Sequence, residues 1–508
     1  MTHEPLLWWL ILVPALTGGL TLRLRSARTI LRALGVGVGI TVALGWYVAG
    51  KVLLAGPVSA GADWLYLDAL SAYNLCVMLL IYGLCSAYAS VYFGTELREG
   101  RLTLKQARQF GSLWCGALAA MTLVFISNNL GIMWVGIEAT TLLTGFLICV
   151  HVTRESLEAM WKYILICSVG VAFAFMGTLL VCASTHGLGL RAPEVMLWTT
   201  LRAHATLLNP ACLKAAFIFL LVGYGTKAGL APMHNWLPDA HSQAPAPVSA
   251  LFSGFMLNTA LYCVMRYVPL VEAGTGNTGW GLRLLTGFGL FSILVAAAFI
   301  LFQHDLKRLL AYHSVEHIGI ITLGVGLGGL GTFAALFHTL NHSLCKTLAF
   351  FAAGRLGQTF GTHDMRKMSG AMRVAPVWGM GLFGSLLALI GVAPFALFMS
   401  ELQILKAAMD GGTILTTLAL VLFLLGAGVV FVGALGHAIP LAWGKGAEVA
   451  SAGRVGILER VLVVLPLALL LVLGLWMPGP FQSALNAAAD VIRHLGPASA
   501  ASVGGSTP

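Results

Sequence analysis

The sequence predicts an all-α polytopic membrane protein of about 14 transmembrane helices, with two inverted five-helix repeats and two broken helices. Three observations predict it. Of 508 residues, 58% are hydrophobic and only 9% charged, where a soluble domain carries roughly 25%. Apolar spans follow one another with no long polar insert. The same Gly-x-Ala-Pro interruption occurs twice, at Gly229-Leu230-Ala231-Pro232 and Gly391-Val392-Ala393-Pro394, with an ionisable residue beside each, Lys227 and Glu401.

Stretches of about 20 apolar residues, the length that crosses a bilayer, centre near residues 15, 42, 81, 118, 139, 173, 221, 258, 292, 319, 343, 388, 424 and 467. Residues 1–107 hold the first of these helices. No basic segment precedes the first apolar run, which therefore reads as a retained helix and not a cleaved signal. Residues 108–270 form the first five-helix repeat and 282–440 the second. Besides the matched breaks, Lys162 precedes Ser168-Val169 by the spacing that separates Arg308 from Ser314-Val315. An odd number of crossings inverts the second copy in the membrane. Residues 441–508 supply a C-terminal helix and a small, polar tail expected to be disordered after Pro497.

The formal net charge of +10 is no nucleic-acid signal, because the basic residues sit in short loops. The first loop holds Arg23, Arg25, Arg28 and Arg32, and the third Arg98, Arg101, Lys105 and Arg108. Later odd loops continue the pattern, while Arg191, Arg202 and Lys214 in the sixth run against it. The positive-inside rule puts odd loops in the cytoplasm and both termini on the periplasmic side of a bacterial inner membrane. The nine cysteines are dispersed and form no CxxC or iron–sulfur spacing, so no cofactor is expected in this chain.

Ionisable residues inside apolar spans are costly and default to function. Glu138 is flanked by apolar residues and reads as a proton-binding carboxylate paired with Lys227. The polar, proline-bounded stretch His234 to Gln243 reads either as a hydrated entrance or as an ordinary loop with Asp239 as a helix cap. His338, His342 and Lys346 share one helix face over about 12 Å. That stripe suits a proton relay; zinc ligation by the two histidines lacks a completing HExxH or cysteine pair. His313, Glu316 and His317 share another face by i+3 and i+4 spacing. Lys307 either snorkels to the interface or takes part. Glu401 ends the second broken segment as a terminal proton site. In chain order these residues make a candidate line of charges through the middle of the membrane.

The chain resembles the antiporter-like, proton-conducting subunits shared by respiratory complex I, cation/proton antiporters and membrane-bound hydrogenases. The strings that carry the resemblance are Lys227 to Ser249 (KAGLAPMHNWLPDAHSQAPAPVS), Asp305 to Gly319 (DLKRLLAYHSVEHIG), His338 to Gly354 (HTLNHSLCKTLAFFAAG) and Phe398 to Glu401. HSVEHIG, with Trp134 to Thr141 and Ser156 to Gly170, is most similar to the hydrogenase-4 component F branch. The resemblance implies a proton path through Glu138 and Lys227 in one half and Lys346 and Glu401 in the other. Some members carry a histidine or lysine on the helix after the first break, where this chain has Ser253 and Asn258. The link between halves is therefore expected to use water, or His313 and Glu316.

The expected role is a non-catalytic proton-translocating subunit of a redox complex of the membrane-bound hydrogenase or NADH:quinone oxidoreductase type. Its partners would be the lipid bilayer, protons, other membrane subunits and a peripheral redox arm. The alternative is the proton-conducting subunit of an inorganic-carbon uptake complex with a large zinc-binding soluble partner. A sodium- or potassium-moving antiporter subunit is a third reading, against which the lysines argue.

Overall fold

The computed structural model describes residues 2–445 and 455–493. The expected tail after Pro497 lies outside the described residues. The helices are α1 (Leu6–Arg23), α2 (Ala27–Ala55), α3 (Ala69–Arg98), α4 (Leu104–Ile126), α5 (Leu130–Ile148), α6 (Arg154–Ala183), a short α7 (Trp198–Ala203), α8 (Pro210–Ala228), α9 (Trp236–Gln243), α10 (Ala246–Leu251), α11 (Leu257–Gly274) and α12 (Trp280–Ile300). They continue as α13 (Leu306–Leu327), α14 (Gly329–Phe360), a short α15 (Ala371–Val374), α16 (Pro376–Leu389), α17 (Ala396–Asp410), α18 (Ile414–Trp443), α19 (Ile457–Leu475) and α20 (Gly479–Arg493).

Eleven spans, counting Ala246–Gly274 as one, are long and apolar enough to cross a membrane. The long α13 and α14 carry the histidines and lysines and fall outside that set, as does the broken pair α16/α17.

Polar caps start the helices where the chain turns back. Asp68 accepts from the Ser71 amide at α3, Thr103 and Thr153 form capping boxes at α4 and α6, and Asn129, Asn209 and Asp305 cap α5, α8 and α13. Each side chain satisfies backbone donors that a helix start leaves without an internal partner.

Two features were not legible in the sequence. A small sheet joins the N-terminus to the α2–α3 connection: β1 (Thr2–His3) runs parallel to β2 (Val58–Ala60), which pairs antiparallel with β3 (Leu65–Leu67). After α19, the helix α20 returns to pack on α3, α11 and α14.

The span from α10 to α11 is buried along its whole length, as are almost all of α13 and α14. By contrast α1, α2, α6, α18 and α19 present large apolar side chains outward, among them Leu54, Trp161, Val432 and Leu475. The polar residues thus line an interior axis, and the apolar rim faces hydrocarbon.

Candidate proton pathway

In the first half, α5 supplies Glu138, α6 supplies Tyr163 and Ser168, and α8 supplies Lys227. Lys227 is buried, its Nζ donates to the Tyr163 hydroxyl, and it sits 4.6 Å from that ring's centroid. The Tyr163 hydroxyl lies 2.6 Å from Thr144 Oγ1. Glu138 accepts from Ser168 Oγ at 2.8 Å, and its other carboxylate oxygen is buried without a partner among the described residues.

The direct Glu138–Lys227 pairing expected from sequence is not formed. Helix α6 packs on both α5 and α8, so Tyr163 stands against the lysine and Ser168 against the carboxylate. The two charges act on one another electrostatically without touching. The approach of α6 to α8 is close because Gly223 lies against the α6 backbone; a Cβ there would collide with Ala174 and Gly170.

The first break is built and then satisfied locally. Gly229 ends α8 at φ +82°, a left-handed cap that favours glycine. The freed backbone finds side chains: the Ala231 amide donates to Ser292 Oγ at 3.0 Å, and the Trp236 indole donates to the Thr226 carbonyl at 2.9 Å. Broken helices persist in a membrane only when their loose polar groups are met in this way. At the second break Gly391 has φ +67°, and a Cβ there would strike the Glu401 carboxylate. Asn341 of α14 donates to the Ala396 carbonyl at 2.9 Å.

The second half is a cluster of imidazoles. On α13, His313 Nδ1 and Glu316 Oε2 are 2.9 Å apart. His317 Nδ1 and His338 Nε2, facing one another from α13 and α14, are also 2.9 Å apart. His338 Nδ1 is 2.9 Å from Ser400 Oγ on α17. That hydroxyl is within donating distance of the Ala396 and Leu397 carbonyls, so it accepts from His338. The His342 ring lies 5.3 Å from that of His317, with neither nitrogen bonded among the described residues. Lys346 donates to the Leu310 carbonyl and interacts electrostatically with Glu316.

Glu401 comes within 4.8 Å of His317 and His338 by ligand atoms, as do His313, Glu316 and His317 among themselves. Either triad could hold a metal ion, and both differ from the His338/His342 pair weighed from sequence. The 2.9 Å His317–His338 separation is a hydrogen bond, shorter than the roughly 3.3 Å ligand–ligand edge of tetrahedral zinc with nitrogen ligands.

Between the halves, the Ser253 and Ser314 hydroxyls lie 2.7 Å apart. Ser253 sits in a π-helical turn over Phe252–Met256, a distortion common at functional sites. Asn258 reaches Ser343 Oγ at 3.4 Å. His241, buried with neither nitrogen bonded among the described residues, lies within the fields of Lys346 and Lys307.

The stretch after the first break is not a loop. It folds as α9, and Asp239 stands inside the first turn instead of capping it. Asp239 pairs with Lys162 at 3.1 Å and Arg308 at 2.8 Å, tying α6 of the first repeat to α13 of the second. Lys307 does not reach outward. It donates to the Ser242 and Ala244 carbonyls at 3.0 and 2.5 Å, holding the C-terminal end of α9. His234 is buried, edge-on against the stacked rings of Phe299 and Tyr312.

Residues 127–426 match the family described as NADH:quinone oxidoreductase/Mrp antiporter, transmembrane. The chain belongs to this antiporter family. Among relatives, it is 43% identical over 325 residues to a hydrogenase-4 component F homolog of Methylacidiphilum infernorum, covering 63% of this chain and 67% of the relative. It is 32% identical to hydrogenase-4 component B of Escherichia coli, across 70% of this chain and 52% of that one. It therefore spans only about half of the latter. Among solved structures, a chain of the archaeal membrane-bound sulfane sulfur reductase superposes with TM-score 0.84 at 24% identity, covering 97% of this chain and 98% of that chain. A chain of the Mrp complex from Dietzia gives TM-score 0.82 at 21% identity, covering 96% and 97%.

Several residues of this site carried no signal that singled them out in the sequence. Tyr163, Thr144, Ser168, Ser400 and Asn341 are hydroxyls and an amide on apolar helices, and only the packing shows which of them meet a charge. Arg266 and Asp68, 198 residues apart, form a buried ion pair at 2.6 Å, with Arg266 stacked on Trp198 at 4.4 Å. An arginine and an aspartate at opposite apolar-span ends could have suggested it.

Proposed function

We propose that this chain is the proton-translocating membrane subunit of a multi-subunit redox complex of the membrane-bound hydrogenase type. It sits in a bacterial inner membrane with both termini on the periplasmic side. Other membrane subunits flank it, and a peripheral redox arm transfers the electrons. Protons move along Glu138, Lys227, the His313/Glu316/His317 face, the His338/His342/Lys346 face and Glu401.

The observation that carries the reading is the cluster on α13, α14 and α17. Four histidines, Lys346, Glu316 and Glu401 converge inside apolar surroundings, with two imidazoles sharing a hydrogen bond. Groups of this kind give and take protons, and burying them in a membrane protein has no structural advantage over apolar packing. The 43% identity to a hydrogenase-4 component F homolog supports the hydrogenase branch.

The test is reconstitution of the complex, purified through a tag on this subunit, into vesicles containing a pH-sensitive dye. Driving the redox reaction is expected to acidify one compartment, and Lys346→Met is expected to stop this while every subunit remains in the complex. Normal acidification by the variant would refute the pathway. Co-purification with a single large zinc protein and no redox subunits would assign the chain to carbon uptake instead.

A further inference from the structure

At the N-terminal edge of the molecule, α2 and α3 leave a groove of about 720 Å³ between them. Arg28 and Arg32 line its mouth from one face of α2, and Arg98 lines it from the last turn of α3. Among the described residues none of the three forms an ion pair; Arg98 donates only to the neighbouring Thr95 hydroxyl. Beyond the arginines the walls open, since a Cβ on Gly35, Gly39 or Gly94 would meet nothing within 4 Å.

The length of the groove identifies its occupant. It runs from Arg28 to Val42 along α2 and from Arg98 to Gly83 along α3, about 21–22 Å at 1.5 Å per residue. That is half of a bilayer of roughly 40–45 Å measured across its headgroups. A membrane-crossing helix of a partner would need a seat twice as long. Three unpaired cations at one end, and an open apolar channel one leaflet deep, match a molecule with a phosphate head and an acyl chain.

We infer that the α2–α3 groove binds an anionic phospholipid of the leaflet facing the first and third loops. The phosphate sits between Arg28, Arg32 and Arg98, and an acyl chain lies along Gly35 and Gly39. This site is remote in sequence from the proton-bearing residues and holds whichever complex the chain joins.

The intact complex is purified, stripped of loose lipid and transferred to nanodiscs of phosphatidylcholine with and without phosphatidylglycerol. Retained lipid is then quantified by mass spectrometry. Wild type is expected to retain phosphatidylglycerol selectively, and R28Q/R32Q/R98Q is expected to bind it roughly 100-fold more weakly, with phosphatidylcholine unchanged. Gly39→Leu, which fills the seat and leaves all three arginines, is expected to lose the lipid as well. It serves where removing three charges disturbs insertion. Unchanged phosphatidylglycerol retention in either variant overturns the proposal. So does a cross-link from Gly39→Cys to a partner subunit's helix.

Discussion

The two halves of this molecule hold their buried lysines in different chemical company. Lys227 meets hydroxyls: Tyr163, then Thr144, with Ser168 on the neighbouring carboxylate. Lys346 lies in a half that gathers four imidazoles, His313, His317, His338 and His342, with Glu316 and Glu401 beside them. A hydroxyl passes a proton on only while receiving another. An imidazole has two ring nitrogens, and can accept a proton at one and release another from the other. The same helical plan thus carries a hydroxyl-linked half and an imidazole-linked half.

The most severe way to break this comparison is to remove each lysine in turn. Lys227→Met and Lys346→Met are each expected to abolish redox-driven proton transfer in vesicles, measured by dye response. Loss in both places the halves in series, whereas residual transfer in one shows a parallel route. A subtler variant is Tyr163→Phe, which keeps the ring over Lys227 but deletes the bridge to Thr144. Losing such a buried hydrogen bond is worth about 1–3 kcal/mol, so transfer should slow by roughly tenfold or more. His338→Gln should instead change the pH profile of transfer.

Stability offers a third contrast. Arg266→Met leaves Asp68 buried without its partner and is expected to cost about 3–5 kcal/mol, with R266M/D68L recovering most of it in thermal unfolding. Asp239→Asn weakens the tie between α6 and α13. Its partners Lys162 and Arg308 are 46% and 41% exposed, so the loss should stay below about 1 kcal/mol and shrink with added salt.

The smallest effect concerns Asp364, in the loop after α14. The Arg366 guanidinium holds its carboxyl down, to about 2. A lowered value means the contact stabilises above the ordinary carboxylate range and is lost as pH falls from about 4 towards 2. Asp364→Asn should flatten that acid limb, lowering the unfolding midpoint slightly at neutral pH and leaving it unchanged near pH 2.

Much of the plan was legible before the structure. Apolar length and the two Gly-x-Ala-Pro breaks specify spans and interruptions because a bilayer allows few alternatives. The charged residues stood out for the same reason. Their partners did not. A serine or threonine on a membrane helix commonly bonds to its own helix, as Thr122 does to Leu118, and nothing local separates it from Ser168, which reaches Glu138. The mistaken Glu138–Lys227 contact has this origin: sequence order could not reveal that Ser168 and Tyr163 of α6 would meet the two charges in space. The stretch after Pro232 read as an entrance or a loop because its prolines and polar residues hide an eight-residue helix, one whose end is held by Lys307 from α13.

The Ser400 hydroxyl has a consequence for traffic. Its own hydrogen is committed to the α17 backbone, and its oxygen already receives His338 and Asn341. It can take no further proton, so the Nδ1 side of His338 is a closed door. Whatever arrives at Nε2 must depart from Nε2, on the side that faces His317. His338 is then a siding off the main line, entered and left through the same nitrogen.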